Sequence, residues 1–410
     1  MQRLSAIAGM AGQPKTFGKD KKSHEQQFNS RGVMMKRIFI LPVVLVSFFI
    51  SYSQHIVRFS ISSLPGPTLS DTMFIAGSFN GWNPADKKYR FQKDASGNYF
   101  FETMLADATY EFKITRGSWA KVECTKNGAD IQNRLLKLSH DTTMNLVVEE
   151  WADHFTKEPR RSTASKNVHI IDTAFRIPQL NRVRRIWIYL PPDYNTSDSR
   201  YPVLYMHDGQ NVFDDSTSFA GEWGVDEMMD SISRRKKEMI VVAIDHGGAK
   251  RINEYCPYDM ERFGKGEGDR YLDFLVKTLK PYIDNNYRTK KDKQNTYIAG
   301  SSMGGLISMY AVLKCPKVFG GAGVFSPAFW VGPKIFTDIE TKGKQVNSKI
   351  YFYCGGEENE TMEPDMMKAF EEMRKVSKSK METNVRPEGK HNESVWREEF
   401  PLFYLWLVEK

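Results

Sequence analysis

Gly300-Ser301-Ser302-Met303-Gly304-Gly305 is the stretch on which the reading of this chain turns. An apolar run of strand character, residues 295–299, leads into it, and a helix-like run, 305–313, leads out. Strand, tight turn and helix around G-x-S-x-G form the nucleophile-elbow pattern. The serine there sits in a strained conformation, so the positions two before and two after it must be nearly free of side chain. Only Ser302 has glycine at both, since Ser301 would have Ala299 and Met303 there. A glycine-rich turn with incidental serines is the plainer alternative, and the strand and helix flanks argue against it.

Outward from the elbow, strands and helices alternate. Residues 201–206 and 239–244 are near-continuous apolar strands of the kind buried on both faces of a sheet. Helical patterns over 225–232 and 271–279 separate them, the second with Leu272, Leu275, Val276 and Leu279 on one face. Strands over 321–325 and 349–354 follow, then an aromatic-rich helix over 395–408 with a kink expected at Pro401. A hairpin over 168–171 and 184–190 precedes them all. The pattern is that of a doubly wound, mostly parallel α/β sheet.

Chemistry follows from chain order. In enzymes built on this elbow the triad runs Ser, then acid, then His. Of eight histidines only His391 comes after Ser302, so it is the expected base. The strand at 349–354 delivers Gly355-Gly356-Glu357-Glu358 to the same sheet edge; either glutamate there would orient the imidazole, with Asp365 farther down the loop. Two amides must hold the oxyanion. One belongs to Met303, and the other is assigned to Gln210, with Gly209 close behind and expected to permit the sharp turn after the strand. Asp208, Arg251, Phe329 and Trp330 lie on loops leaving the same edge and are the candidate substrate-pocket residues: an aromatic wall, and a cation for an anionic or polyhydroxyl group. His207 beside Asp208 lacks a third ligand at metal spacing, so neither metal nor other cofactor is expected. Gly264-Lys265-Gly266-Glu267-Gly268 lacks the strand and spacing of a phosphate loop.

The formal charge of +8 would ordinarily suggest nucleic acid or an anionic surface as partner. The first 53 residues hold eight Lys/Arg against Asp20 and Glu25, a net of +6, which leaves only +2 for the rest. That leader reads as a signal peptide over 34–53: Lys36-Arg37, an apolar stretch over 38–50 too short to span a bilayer comfortably, and Ser51-Tyr52-Ser53 before the cleavage point. Residues 1–33 then read as an extension from a misassigned start, and the mature protein as exported, periplasmic or secreted. Cys124, Cys256, Cys315 and Cys354 show no metal spacing; export would permit disulfides, and buried thiols suit Cys315 and Cys354 equally.

Residues 54–149 alternate short β-type runs with turn signals such as Asn80-Gly81 and Asn127-Gly128, which predicts an all-β, immunoglobulin-like sandwich. This stretch resembles starch- and glycogen-binding modules through Ala76-Gly77-Ser78-Phe79-Asn80-Gly81-Trp82-Asn83-Pro84, Tyr110-Glu111-Phe112-Lys113, Trp119 and Asn133-Arg134. The resemblance implies a glucan platform at Trp82, Lys113 and Trp119; the alternative is a structural domain that positions its neighbour. Residues 150–167 turn polar and read as a linker, with Arg160-Arg161 a solvated pair.

From residue 168 to the C-terminus, several motifs in order resemble the putative-esterase family of α/β-hydrolases. They are His207-Asp208-Gly209-Gln210-Asn211, Arg251 with Glu254-Tyr255, the elbow, Phe325-Ser326-Pro327-Ala328-Phe329-Trp330, and Gly389-Lys390-His391 with Trp396. That family includes feruloyl and acetyl xylan esterases, siderophore esterases and mycolyltransferases. The resemblance implies an α/β-hydrolase fold over 168–410, a serine carboxylic-ester hydrolase without cofactor, and, from a Cys-Gly-x-x-acid run, Glu358 as the acid. Asp208-Gly209 replaces the His-Gly turn of other members, as in the siderophore-esterase branch. Esters on polysaccharide or oligosaccharide, feruloyl or acetyl, are the expected substrates. A siderophore or other small ester is the alternative, and a catalytically idle glycan-binding protein the alternative of another class.

Overall fold

The structure, a computed structural model, describes residues 53–66, 72–155, 160–219, 221–232 and 238–409. The extension and all but the last residue of the signal peptide expected over 1–53 lie outside them. Among the described residues no helix is long and apolar enough to cross a membrane.

Among the described residues nine strands make the N-terminal domain: β1 (Gln54–Ser63), β2 (Phe74–Gly77), β3 (Gln92–Lys93), β4 (Tyr99–Ala106), β5 (Ala108–Thr115), β6 (Glu123–Cys124), β7 (Arg134–Leu138), β8 (Thr142–Val147) and β9 (Glu150–Trp151). They form sheets of order β3-β4-β1-β8 and β2-β5-β7, plus the β6-β9 pair. The two-residue side-chain period sends Val57, Phe59 and Ile61 of β1, Phe101 and Leu105 of β4, Phe112 and Ile114 of β5, and Leu136 and Leu138 of β7 into one core between the sheets. Trp151 is fully buried in the same core. The domain therefore runs past the expected boundary at 149, because an indole among polar neighbours supplies the core contact that a periodic pattern would otherwise announce.

The segment expected to be a linker is fastened where it is described. Ser162 Oγ donates to Asp214 (2.8 Å), Thr163 Oγ1 to Glu222 (3.0 Å), the Ser165 amide to Asp226 (2.6 Å) and Asn167 Nδ2 to Asp230 (2.7 Å). Its polar composition matches a row of carboxylates on the next domain, so polarity here marks docking rather than solvation. Arg160 likewise reaches Asp215 and Ser218.

The C-terminal domain is built on an eight-stranded sheet: β10 (Val168–Ile177), β11 (Arg182–Tyr189), β12 (Val203–His207), β13 (Ile240–Ile244), β14 (Thr296–Ser301), β15 (Gly321–Phe325), β16 (Lys349–Gly355) and β17 (Lys380–Arg386). Their order is β10-β11-β13-β12-β14-β15-β16-β17, parallel except where β11 meets β10 and β13. Among the described residues eight α-helices accompany it: α1 (Val225–Ile232), α2 (Arg251–Tyr255), α3 (Gly268–Phe274), α4 (Lys280–Asn286), α5 (Met303–Lys314), α6 (Lys334–Lys342), α7 (Met362–Val376) and α8 (Glu393–Val408). Alternate strand residues feed two cores. Val203, Tyr205, Val242, Ile298, Val324 and Phe352 face the layer holding α5 and α7. Leu204, Met206, Val241, Ala299 and Tyr351 face the layer holding α1 and α8.

The helix expected over 271–279 is longer. It begins as α3, widens into a π turn at Leu275–Leu279 and continues as α4. Pro281, at the start of α4, has no N–H to give the preceding turn, and a wider turn accommodates its ring. Cys256, Cys315 and Cys354 are thiols, and burial pushes the Cys354 thiol up to about 12.

Candidate active site

Ser302 stands between β14 and α5 with φ 58° and ψ −119°, a conformation that costs a non-glycine residue strain energy. Its surroundings hold it there. The Ser302 amide donates to Phe325 O (2.9 Å) and its carbonyl accepts from the Ala328 amide (3.0 Å), tying the turn to the loop after β15. A Cβ on Gly300 would lie 2.9 Å from His207 Cδ2 and 3.1 Å from Gly304 Cα, so the two glycines are what lets the strand and helix cross so tightly. Met303 is the first residue of α5, where a backbone N–H has no acceptor within the helix.

The loop after β16 and the loop before α8 meet backbone to backbone. A Cβ on Gly355 would overlap Gly389 O, and the Glu357 amide donates to that same carbonyl (3.0 Å). The contact places Glu358 Oε2 2.7 Å from His391 Nδ1. Glu358 Oε1 accepts from Ser326 Oγ (2.5 Å) and the Gly355 amide (2.6 Å), and Trp396 Nε1 in turn donates to Ser326 Oγ (2.9 Å). The imidazole stands edge-on to Trp396, 4.9 Å between ring centres. Glu358 is buried, whereas Glu357 is exposed and lies 3.7 Å from Lys390 Nζ. Asp365 is on the first turn of α7. Of the three carboxylates it is Glu358 that the fold pairs with His391. Ser326, Trp396 and their relay behind Glu358 escaped the sequence reading of roles; their signal was only the aromatic five residues past the histidine.

Beneath the elbow, β12 is followed by Asp208, which adopts the left-handed conformation (φ 58°, ψ 49°) before a 3-10 turn, Gly209–Asn211. The expected division of labour is reversed here. Asp208 takes the positive φ, as short polar side chains tolerate, and Gly209 is required because a Cβ would lie 2.8 Å from the Asp245 amide. Gln210 is pinned at both ends: its Oε1 accepts from the His246 amide (3.1 Å) and its carbonyl from Thr217 Oγ1 (2.8 Å).

Arg251 is not left to meet an anionic substrate. Its Nε and Nη2 bind both oxygens of Asp208 (2.7 and 2.8 Å), and Nη2 approaches Ser301 O at 3.4 Å. Burial alone would raise the Asp208 carboxyl, but the guanidinium beside it holds it below the usual range. Removing one member of such a buried pair typically costs about 3–5 kcal/mol. The pair thus acts as a strut from the turn after β12 to the elbow. His207, buried and bonded through Nδ1 to Tyr271 Oη (3.0 Å), is pushed down to about 4, chiefly by burial.

Phe329 is fully buried against Phe336 and belongs to the core, not to a pocket wall; Trp330 beside it is half-exposed at the same sheet edge. Glu393 is a residue the sequence reading missed. It opens α8, accepts from Asn211 Nδ2 (2.9 Å), and is raised by burial and by the nearby Asp208 charge. In the N-terminal domain Trp82 and Trp119 come together, ring centres 6.2 Å apart, while Lys113 is half-buried on β5. Among the described residues no group of three or more His, Cys, Asp or Glu could hold a metal ion.

Comparisons with known proteins agree with this architecture. The model of the family described as Putative esterase matches residues 177–406. The chain is 27% identical over 208 residues to the uncharacterized protein YbbA of Bacillus subtilis, which covers 48% of this chain and 79% of that one. It is 29% identical over 215 residues to an endo-1,4-beta-xylanase/feruloyl esterase of Xylanibacter ruminicola (51% of this chain, 27% of that one). It is 40% identical over 94 residues to an alpha-amylase of Niallia circulans (22% and 7%). The last two relatives are thus matched over well under half of their length. The BES protein from Bacillus cereus shares the fold, with a TM-score of 0.52 at 18% identity over 62% of this chain and all of that one.

Proposed function

Because this chain belongs to the Putative esterase family, we propose that it is an exported serine esterase in which Ser302, His391 and Glu358 form the triad and the Met303 and Gln210 amides the oxyanion hole. The observation that carries the reading is a strained serine at an elbow, on the same sheet edge as a histidine held at 2.7 Å by a buried, doubly anchored carboxylate. Glu358 fixes the Nδ1–H tautomer, so Nε2 is the acceptor. Ser302 Oγ attacks the ester carbonyl as Nε2 takes its proton, and the oxyanion forms against the two amides. Collapse breaks the ester C–O bond, and the leaving alcohol takes the proton from His391. Water then attacks the acyl-serine with its proton passing to Nε2; the acid leaves and Ser302 regains its proton.

The substrates proposed are feruloyl or acetyl esters on polysaccharide or oligosaccharide. Two features support this: the N-terminal β domain presents the Trp82–Trp119 pair, and partial relatives carry the names alpha-amylase and xylanase/feruloyl esterase. With p-nitrophenyl acetate, Ser302→Ala should lose at least ~1,000-fold in kcat, as expected for removal of a triad member; equal rates for the two proteins would sink the enzyme reading in favour of an idle glycan-binding protein. A panel of methyl ferulate, acetylated xylan and a catecholate trilactone then decides the acyl group. Preference for the trilactone would replace the polysaccharide reading by the siderophore one.

A further inference from the structure

Phe219 is the most exposed large apolar side chain among the described residues, at 64%. It belongs to the catalytic domain, yet its ring stands edge-on to Trp119 of the N-terminal domain, 6.0 Å between centres. Trp119 in turn meets Trp82 at 6.2 Å. Three aromatic rings therefore form one strip that crosses from one domain to the other.

Both ends of the strip are held. Trp82 has φ 58°, an uncommon conformation for a bulky residue, in the turn after Gly81, which itself packs so closely on Phe263 of the catalytic domain that a Cβ there would overlap the ring. The Phe219 amide donates to Asn211 Oδ1 (3.1 Å), and Asn211 Nδ2 donates to Glu393, two residues beyond His391. Thr217, two residues before Phe219, binds the Gln210 carbonyl (2.8 Å). A phenyl ring recruited only to glue the domains would be buried between them. This one has a fixed backbone and a ring in solvent, the arrangement of an aromatic anchor awaiting a partner.

We propose that Phe219 is a carbohydrate-binding residue supplied by the catalytic domain, completing with Trp82 and Trp119 a single surface along which a neutral polysaccharide chain is led to the loop bearing the oxyanion turn. The inference rests on the reading of the two tryptophans as glycan-binding. Aromatic faces offer sugar rings apolar area at small conformational cost, and the strip has a direction because it ends at the catalytic loop. In this arrangement the N-terminal domain and the catalytic domain share one binding surface and do not bind independently.

The test is retention of the full chain on insoluble arabinoxylan and on insoluble starch, with thermal midpoints as a check of folding. Wild type should be retained on at least one of them. Phe219→Ala, Trp82→Ala and Trp119→Ala should each weaken retention about ten-fold, equivalent to ~1.4 kcal/mol, and Phe219→Trp should restore it. If Phe219→Ala is retained like wild type while the tryptophan variants are not, the inference about Phe219 falls and the glycan reading stands. If wild type is retained on neither polymer, or the tryptophan variants match it, the underlying reading falls and the inference with it. Loss of retention in Phe219→Ala that Phe219→Trp does not restore, or that comes with a lowered midpoint, also overturns the proposal.

Discussion

Ser326 does its work at the scale of one hydroxyl. It donates to Glu358 and accepts from Trp396, so the carboxylate that orients His391 is itself oriented. Ser326→Ala would leave the Trp396 N–H and one carboxylate lone pair unmet in a buried site, at about 1–3 kcal/mol. We expect a lower urea midpoint and a reduced kcat with KM little changed; a variant matching wild type in both would remove Ser326 from the positioning of the base. His207 makes a prediction in pH. Its folded value near 4 lies below the ordinary 6.5, because burial and the Arg251 charge oppose the imidazolium while the Asp208 charge only partly favours it. Between those values the unfolded chain binds the extra proton. The associated stability is thus complete above pH 6.5 and is lost as pH falls toward 4, by about 3 kcal/mol. Urea midpoints of wild type should fall across that window more steeply than those of His207→Asn. Parallel slopes would show that the imidazole is not the group responsible.

At the scale of elements, the site depends on loops that touch without side chains between them. Gly355 and Gly389 are the clearest case, since a methyl on Gly355 would overlap the Gly389 backbone. Gly355→Ala should separate the acid loop from the histidine loop and lower kcat on p-nitrophenyl acetate by at least ~10-fold, about 1.4 kcal/mol. Full activity would mean the two loops adjust freely. The same elements show what the sequence made legible. The apolar runs of β12, β13 and β14 are buried on both faces and read as strands at once, and the glycines at 300 and 304 named Ser302 because their spacing is a local steric demand. β17 went unread, since Lys380, Glu382 and Asn384 give a strand at the sheet margin no apolar signature. Arg251 and Phe329 were placed on the right loops, but whether a side chain faces a substrate or its own fold depends on partners distant in sequence, here Asp208 and Phe336.

For the molecule as a whole, the segment joining the domains is a seam. The Thr163 and Ser165 amides donate to Asp214 and Asp226, so hydrogen exchange there should be slowed relative to an unstructured chain. Exchange at the free-peptide rate would return the segment to the status of a tether. Nothing in its composition separated those outcomes, because hydroxyls and amides facing carboxylates look from sequence like hydroxyls and amides facing water. The strands of the catalytic sheet carry a different kind of consequence. Each central strand gives alternate residues to two helical layers, so inserting or deleting one residue within Val203–His207 would exchange what each layer receives and spoil both at once. Changes of length are thereby tolerated best in the loops at strand ends. Those loops hold the proposed nucleophile, acid and base, Ser302, Glu358 and His391, and the surface proposed to choose substrates. The rigidity of the interior thus leaves the loops as the place where a change of length would alter what the protein accepts and spare the scaffold.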